Sequence, residues 1–241
     1  MAAHAIRRWL CRVSAALALG AALPAHGQFV GTLTLTSENR YRGTATEDAG
    51  PVLRASAMGD ASFGAYAGVS GLWLTRDAQF ASAEAILGWS GRLAQVEALR
   101  ELDPGWGWDL AWHRTHYGEN SRYDFSEAMA GLLAPGWSAR LWWSPHYFGS
   151  DYSSLYAEID ASHDFSEHWR AFAHVGTLRY GRGTYGWRPP GRTDAMLGAA
   201  WVADAWDLRL ARDGLIQGQP FGGASNPRRR AGWLLSGSVS F

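Results

Sequence analysis

The sequence predicts an all-β fold: a transmembrane antiparallel up-and-down β-barrel of about 12 strands, preceded by a signal peptide. Three features of the chain point there. The final ten residues alternate strictly between apolar and small polar side chains. The first 27 residues have the layout of an export signal. Between them, alternating segments of similar length recur with turn residues at their ends.

The final segment is the clearest. Trp233, Leu235, Gly237, Val239 and Phe241 share one face, and Leu234, Ser236, Ser238 and Ser240 share the other. A period of two is the mark of a strand. In water, a ribbon this greasy on one side would invite edge-to-edge aggregation. Closing a barrel whose outer face meets lipid removes the problem; the competing reading is a strand buried in a soluble β-sandwich. A last strand that ends on Phe241 also makes the barrel-assembly machinery an expected partner.

At the other end, Arg7, Arg8 and Arg12 precede an apolar run from Val13 to Leu23, and Ala25-His26-Gly27 supplies small residues for cleavage. The run is too short to cross a bilayer, so residues 1–27 read as a signal peptide and 28–241 as the barrel. The single cysteine, Cys11, lies in the signal, leaving no thiol for a disulfide or metal site after it. The 22 basic residues are all arginine; without the three of the signal, 19 face 22 acids, a net charge of −3. So mild a charge predicts no nucleic-acid partner. Glycine (29) and tryptophan (14) are abundant, and no later stretch is long and apolar enough for a spanning helix.

Strands are expected at 29–37, 51–58, 62–73, 81–91, 106–117, 123–134, 136–147, 153–163, 167–178, 193–203, 205–213 and 231–241. Each approaches the ~9–11 residues that a tilted strand needs to cross the hydrocarbon. In the seventh, Trp137, Ala139, Leu141, Trp143, Pro145 and Tyr147 oppose Ser138, Arg140, Trp142, Ser144 and His146. Leu155, Ala157, Ile159 and Ala161 likewise oppose Tyr156, Glu158, Asp160 and Ser162. Tight joins at 59–61, 135–136, 164–167 and 204 alternate with long ones at 38–50, 179–192 and 214–230, as periplasmic turns alternate with outer loops. The join at 92–105 is long where a tight one is expected and contains a helix-like piece, 93–99. Aromatics near strand ends, among them Trp89, Trp137, Tyr147, Trp169, Trp206, Trp233 and Phe241, suit interfacial girdles.

If the apolar faces meet lipid, the opposite faces line a lumen, because a charge on the lipid side costs roughly 2–4 kcal/mol at mid-depth. The candidate selectivity residues are Arg54, Glu84, Asp109, Arg140, His146, Glu158, Asp160, Arg170, Asp207 and Arg209. Glu38, His113, Glu127 and His174 take the same phase. This predicts a passive channel for small hydrophilic solutes that sorts by size and charge, with no cofactor, catalytic residue or metal site. Two alternatives stand beside it. Opposite charges could pair across the lumen and plug it, or the barrel could be a lipid hydrolase. The hydrolase lacks a His-x-Ser pair on one strand; His113-Arg114-Thr115 is the nearest pattern and faces inward. Arg228-Arg229-Arg230, before the last strand, could attract lipopolysaccharide phosphates.

The segment Leu33-Thr34-Leu35-Thr36-Ser37-Glu38-Asn39-Arg40-Tyr41-Arg42-Gly43 resembles the opening of the TorF-type porins, a family of proteobacterial exported proteins. The pieces 64–69, 84–91 and 144–149 agree with it. The resemblance implies an outer-membrane location and a channel role, and carries over no catalytic or binding residue.

Overall fold

Twelve strands close on themselves, each hydrogen-bonded to its neighbours in chain order. The computed structural model describes residues 28–46, 50–99, 101, 105–184, 186, 189–220 and 230–241. The expected signal peptide, and Arg228 and Arg229, lie outside these residues. The wall consists of β1 (Gln28–Thr36), β4 (Val52–Asp60), β5 (Ala65–Leu74), β6 (Gln79–Arg92), β7 (Gly107–Tyr117), β8 (Phe125–Ala134) and β9 (Trp137–Ser144), followed by β10 (Ser154–Asp164), β11 (Trp169–Tyr180), β12 (Arg192–Ala203), β13 (Trp206–Gln217) and β14 (Ala231–Ser240). A two-stranded hairpin, β2 (Arg40–Tyr41) and β3 (Thr44–Ala45), sits in the first long join.

Closure comes from β1 pairing with β14, Thr32 opposite Ser240 and Thr36 opposite Ser236. Small hydroxyls stitch this seam from inside: Thr34 Oγ1 and Ser238 Oγ are 3.0 Å apart. The Phe241 ring covers Gly31, and the two residues exchange backbone hydrogen bonds of 2.9 and 3.0 Å. Every backbone group of a spanning strand must find a partner within the protein, and a closed sheet supplies one.

The phase of each strand follows the sequence. Leu141, Trp143, Leu155, Ile159, Val175, Leu197, Leu208, Leu210 and Leu235 are exposed on the outer surface. So broad an apolar outer surface fits a lipid solvent. Phe29, Trp89, Trp137, Trp169, Trp206 and Phe241 are exposed near the end holding both termini; Trp143 and Trp233 are exposed near the other. These form the two aromatic belts expected of a spanning barrel. Tyr147 does not join them. Pro145 cannot donate to a ladder, β9 stops at Ser144, and the chain folds Tyr147 into the interior at 1% exposure.

The 92–105 join stays at the terminus-bearing end, and its helix-like piece is two short 3-10 turns, Leu93–Gln95 and Glu97–Leu99. With Phe63, Trp106, Trp108 and Leu133 it walls a groove of about 710 Å³.

Candidate functional site: a lumen crossed by the first loop

The predicted inward charges are engaged in local pairs rather than in one ring. Glu84 accepts from His113 Nδ1 at 2.7 Å, and Asp109 accepts from the Tyr66 hydroxyl at 2.7 Å. Arg140 bridges Asp160 at 3.0 Å and Glu158 at 3.8 Å, while the Trp142 indole donates to Glu158 at 2.9 Å. Arg209 grips Asp207, two residues before it on the same face, at 2.7 and 2.8 Å. Arg170 pairs with Asp164 at the terminus-bearing rim, through Nη2 at 3.0 Å. Arg54 reaches Ser70 Oγ at 3.3 Å and remains exposed. His146 is the exception: with β9 ended at Ser144, it stands exposed in the β9–β10 loop, its Nδ1 3.3 Å from the Ser150 carbonyl.

A second group, centred on β10 to β12, fills the interior. His174 Nδ1 lies 2.7 Å from Asp160 Oδ1, and its Nε2 lies 3.1 Å from Asp194 Oδ2. The Tyr156 hydroxyl donates to Asp194 at 3.0 Å and sits 2.9 Å from His174 Nε2. Glu158, Asp160 and His174 also have the composition of a metal site. Both imidazole nitrogens and Asp160 already have protein partners, and the Arg140 cation stands beside them, so the group is satisfied as a polar network. Asp194 and Tyr156 are almost wholly buried.

This network depends on Gly176. A methyl group there would collide with the Tyr156 ring. Gly176→Ala is expected to push Tyr156 off Asp194 and cost about 1–3 kcal/mol, read as a lower midpoint in urea unfolding from vesicles. An unchanged midpoint would show that the ring has room to move.

The largest addition to the lumen comes from the first loop. It turns inward through β2 and β3, which are joined by Arg42 and Gly43, both with positive φ (49° and 72°). A two-residue turn of this kind brings the tip close to the wall, and Gly43 lies against Asp194 with no space for a side chain. Arg40 is buried between Glu38 at 3.0 Å and Asp213 of β13 at 3.5 Å. Arg42 extends to β8, where its Nη2 donates to both oxygens of Glu127, at 2.9 and 3.0 Å. Tyr41 donates to the same carboxylate at 3.1 Å. Since β9 stands opposite β1 in the strand order and β8 adjoins β9, the loop spans the full width of the barrel.

Around this contact lies an aromatic core inside the lumen. Phe125, Tyr147, Tyr156 and Leu178 are buried, with Tyr117, Trp142, Phe148, Tyr152 and Tyr180 packed on them. The Arg42 guanidinium lies over the rings of Tyr156 at 4.3 Å, Tyr41 at 4.8 Å and Tyr147 at 5.4 Å. Burial pushes the Tyr147 phenol up, so it stays neutral beside the cation. Outer loops are tied to one another as well: the Thr184 N–H donates to Asp151 at 2.7 Å and holds that carboxyl below its usual range.

Reading by spacing missed Arg40, Arg42, Arg192, Asp194 and Asp213. Asp194 and Asp213 lie on the polar phase of the expected strands 193–203 and 205–213 and were passed over, and Arg192 is reached by extending the first of these by one residue. Arg40 and Arg42 sit in a join that spacing leaves as a loop, and Gly43 was its one turn signal.

No family model and no curated protein matches the sequence. Among solved structures, the chain resembles a NanC porin, with a TM-score of 0.57, 8% identity, and 88% of this chain and 98% of that one covered. It resembles a KdgM porin at TM-score 0.54 and 10% identity, covering 88% and 99%. A second KdgM structure, described in complex with disordered oligogalacturonate, aligns at 0.53 and 8%, covering 89% and 99%. At these identities the likeness is one of fold: a porin-type barrel spanned by nearly the whole described chain.

Proposed function

We propose that the protein is an outer-membrane channel through which small hydrophilic solutes diffuse, sorted by size and by a mixed-charge lumen. The observation that carries this is the closed barrel with an apolar exterior and a charged interior. The likeness to porins and the resemblance to the TorF-type family support it. Acyl chains and lipopolysaccharide would surround the exterior, and β14 with its terminal Phe241 would engage the assembly machinery. The leader at residues 1–27 would direct export.

The wall itself favours cations. Among the described residues, Glu84, Asp109, Glu158, Asp160 and Asp207 stay half-buried against Arg54, Arg140, Arg170 and Arg209, while Glu127 and Asp213 are buried against Arg42 and Arg40. A chain of sugar carboxylates such as the KdgM ligand would meet repulsion from such a wall, so neutral or cationic solutes suit it better. Purified protein in planar bilayers should give discrete conductance steps with a preference for potassium over chloride. Neutralising Arg140 and Arg170 to glutamine should move the reversal potential further toward potassium. Absence of steps under every folding condition would sink the channel and favour a barrel plugged by its own side chains.

A further inference from the structure

The contact made by Arg42 has the form of a bound ligand. Its guanidinium meets the Glu127 carboxylate at 2.9 and 3.0 Å and lies over the Tyr147 and Tyr156 rings. Glu127 belongs to β8, Tyr156 to β10 and Tyr147 to the loop between β9 and β10, so three walls of the cage are independent of the segment that fills it. Arg42 also occupies a backbone position poorly suited to it. The first residue of this two-residue turn has φ of 49°, where asparagine or glycine is preferred. A left-handed arginine at a tight turn suggests that the side chain is retained for what it reaches.

With the loop in place the Glu127 side chain is 7% exposed; if the loop swung away, that carboxylate would lose both the Arg42 cation and the Tyr41 hydroxyl. Losing both partners at once disfavours the vacated cage and leaves a place for another cation. A planar guanidinium suits both features at once, donating to the carboxylate while its flat face lies over the rings; a compact ammonium meets them only as a point charge, without the planar fit.

We propose that Glu127, Tyr147 and Tyr156 form a subsite for guanidinium-bearing solutes, and that Arg42 holds it as an internal competitor. A solute that takes the cage releases the first loop from the far wall. This rests on the channel reading for its role in passage, whereas the binding itself does not. Competition makes a clear statement about affinity: the apparent dissociation constant is the intrinsic one divided by the fraction of molecules with a vacant cage.

The experiment uses the full barrel folded in detergent, with calorimetry for binding and planar bilayers for passage. The probes are methylguanidinium and methylammonium chloride at equal ionic strength. Arg42→Asn suits the turn, so it vacates the cage without removing the hairpin. This variant should bind methylguanidinium at least roughly tenfold more tightly than the unsubstituted protein does, and more tightly than it binds methylammonium. Adding Glu127→Gln should abolish the difference between the two cations. Equal affinity of the Arg42→Asn variant for both cations, or no binding of either, overturns the subsite. Selective binding without conductance in any variant would uphold the subsite and overturn the channel.

Discussion

Arginine in place of Ile159 is expected to destabilise the folded barrel in a bilayer by about 2–4 kcal/mol, among the largest effects of any single surface change. Ile159 lies in the middle of β10, exposed on the outer face, opposite Ala139 of β9 and Val175 of β11. In an aqueous protein, an exposed isoleucine exchanged for arginine would change little, usually within about 0.5 kcal/mol. Lipid reverses that expectation, because the guanidinium must be dragged toward the interface or left unsolvated. The control is Ser238→Arg, inward on β14 and opposite Asp207 of β13. There the cation meets lumen water beside Asp207, and the cost should stay near the ~1 kcal/mol of the lost Thr34 hydroxyl contact. Urea-driven unfolding from lipid vesicles reads both variants, and equal costs would contradict the assignment of faces.

The second large effect concerns the first loop. Replacing residues 38–50 with a short glycine-serine turn removes Arg40, Tyr41 and Arg42 from the interior. Conductance should rise severalfold, since the segment that crosses the lumen is gone. Selectivity should move toward cations as well, because Glu127 and Asp213 lose the arginines that pair with them. Single-channel recording at two salt concentrations separates the two changes: a wider path raises current in every salt, whereas exposed carboxylates matter most where screening is weak. A conductance equal to that of the unsubstituted protein would show that the path does not pass the loop.

How much of this was legible in the sequence depended on whether a residue lies on a period. The 12 wall strands were, because a spanning strand has lipid on one side and a polar interior on the other, and that contrast imprints period two on every segment. Their ends were read to within a few residues, with 205–213 the furthest short, since β13 continues to Gln217. Pairings were less accessible. Register sets Arg140 opposite Glu158, but its closer bond to Asp160 is diagonal, and the alliance of His174 with both Asp160 and Asp194 needs three strands fixed at once. His146 and Tyr147 were misplaced for one reason: the period was carried through Pro145, which ends the ladder.

The loop and aromatic core inside the barrel were the least legible part. Tyr147 near a strand end looks like a girdle residue, and only the fold reveals that it faces Phe125 at 5.3 Å between ring centres inside the barrel. Arg42 meets Glu127 across 85 positions of sequence, a separation no local pattern encodes.

The claim beneath all of this is that β10 shows lipid and lumen alternately, and the absence of cysteine after Cys11 makes it directly measurable. Single cysteines introduced from Leu155 to Ser162, spin-labelled in the vesicle-folded protein, can be relaxed either by oxygen from the bilayer or by a water-soluble nickel chelate. Leu155, Ala157, Ile159 and Ala161 should favour oxygen, with Tyr156, Glu158, Asp160 and Ser162 protected from it. Accessibility without a period of two, or oxygen favouring the second set, would contradict the barrel in its membrane.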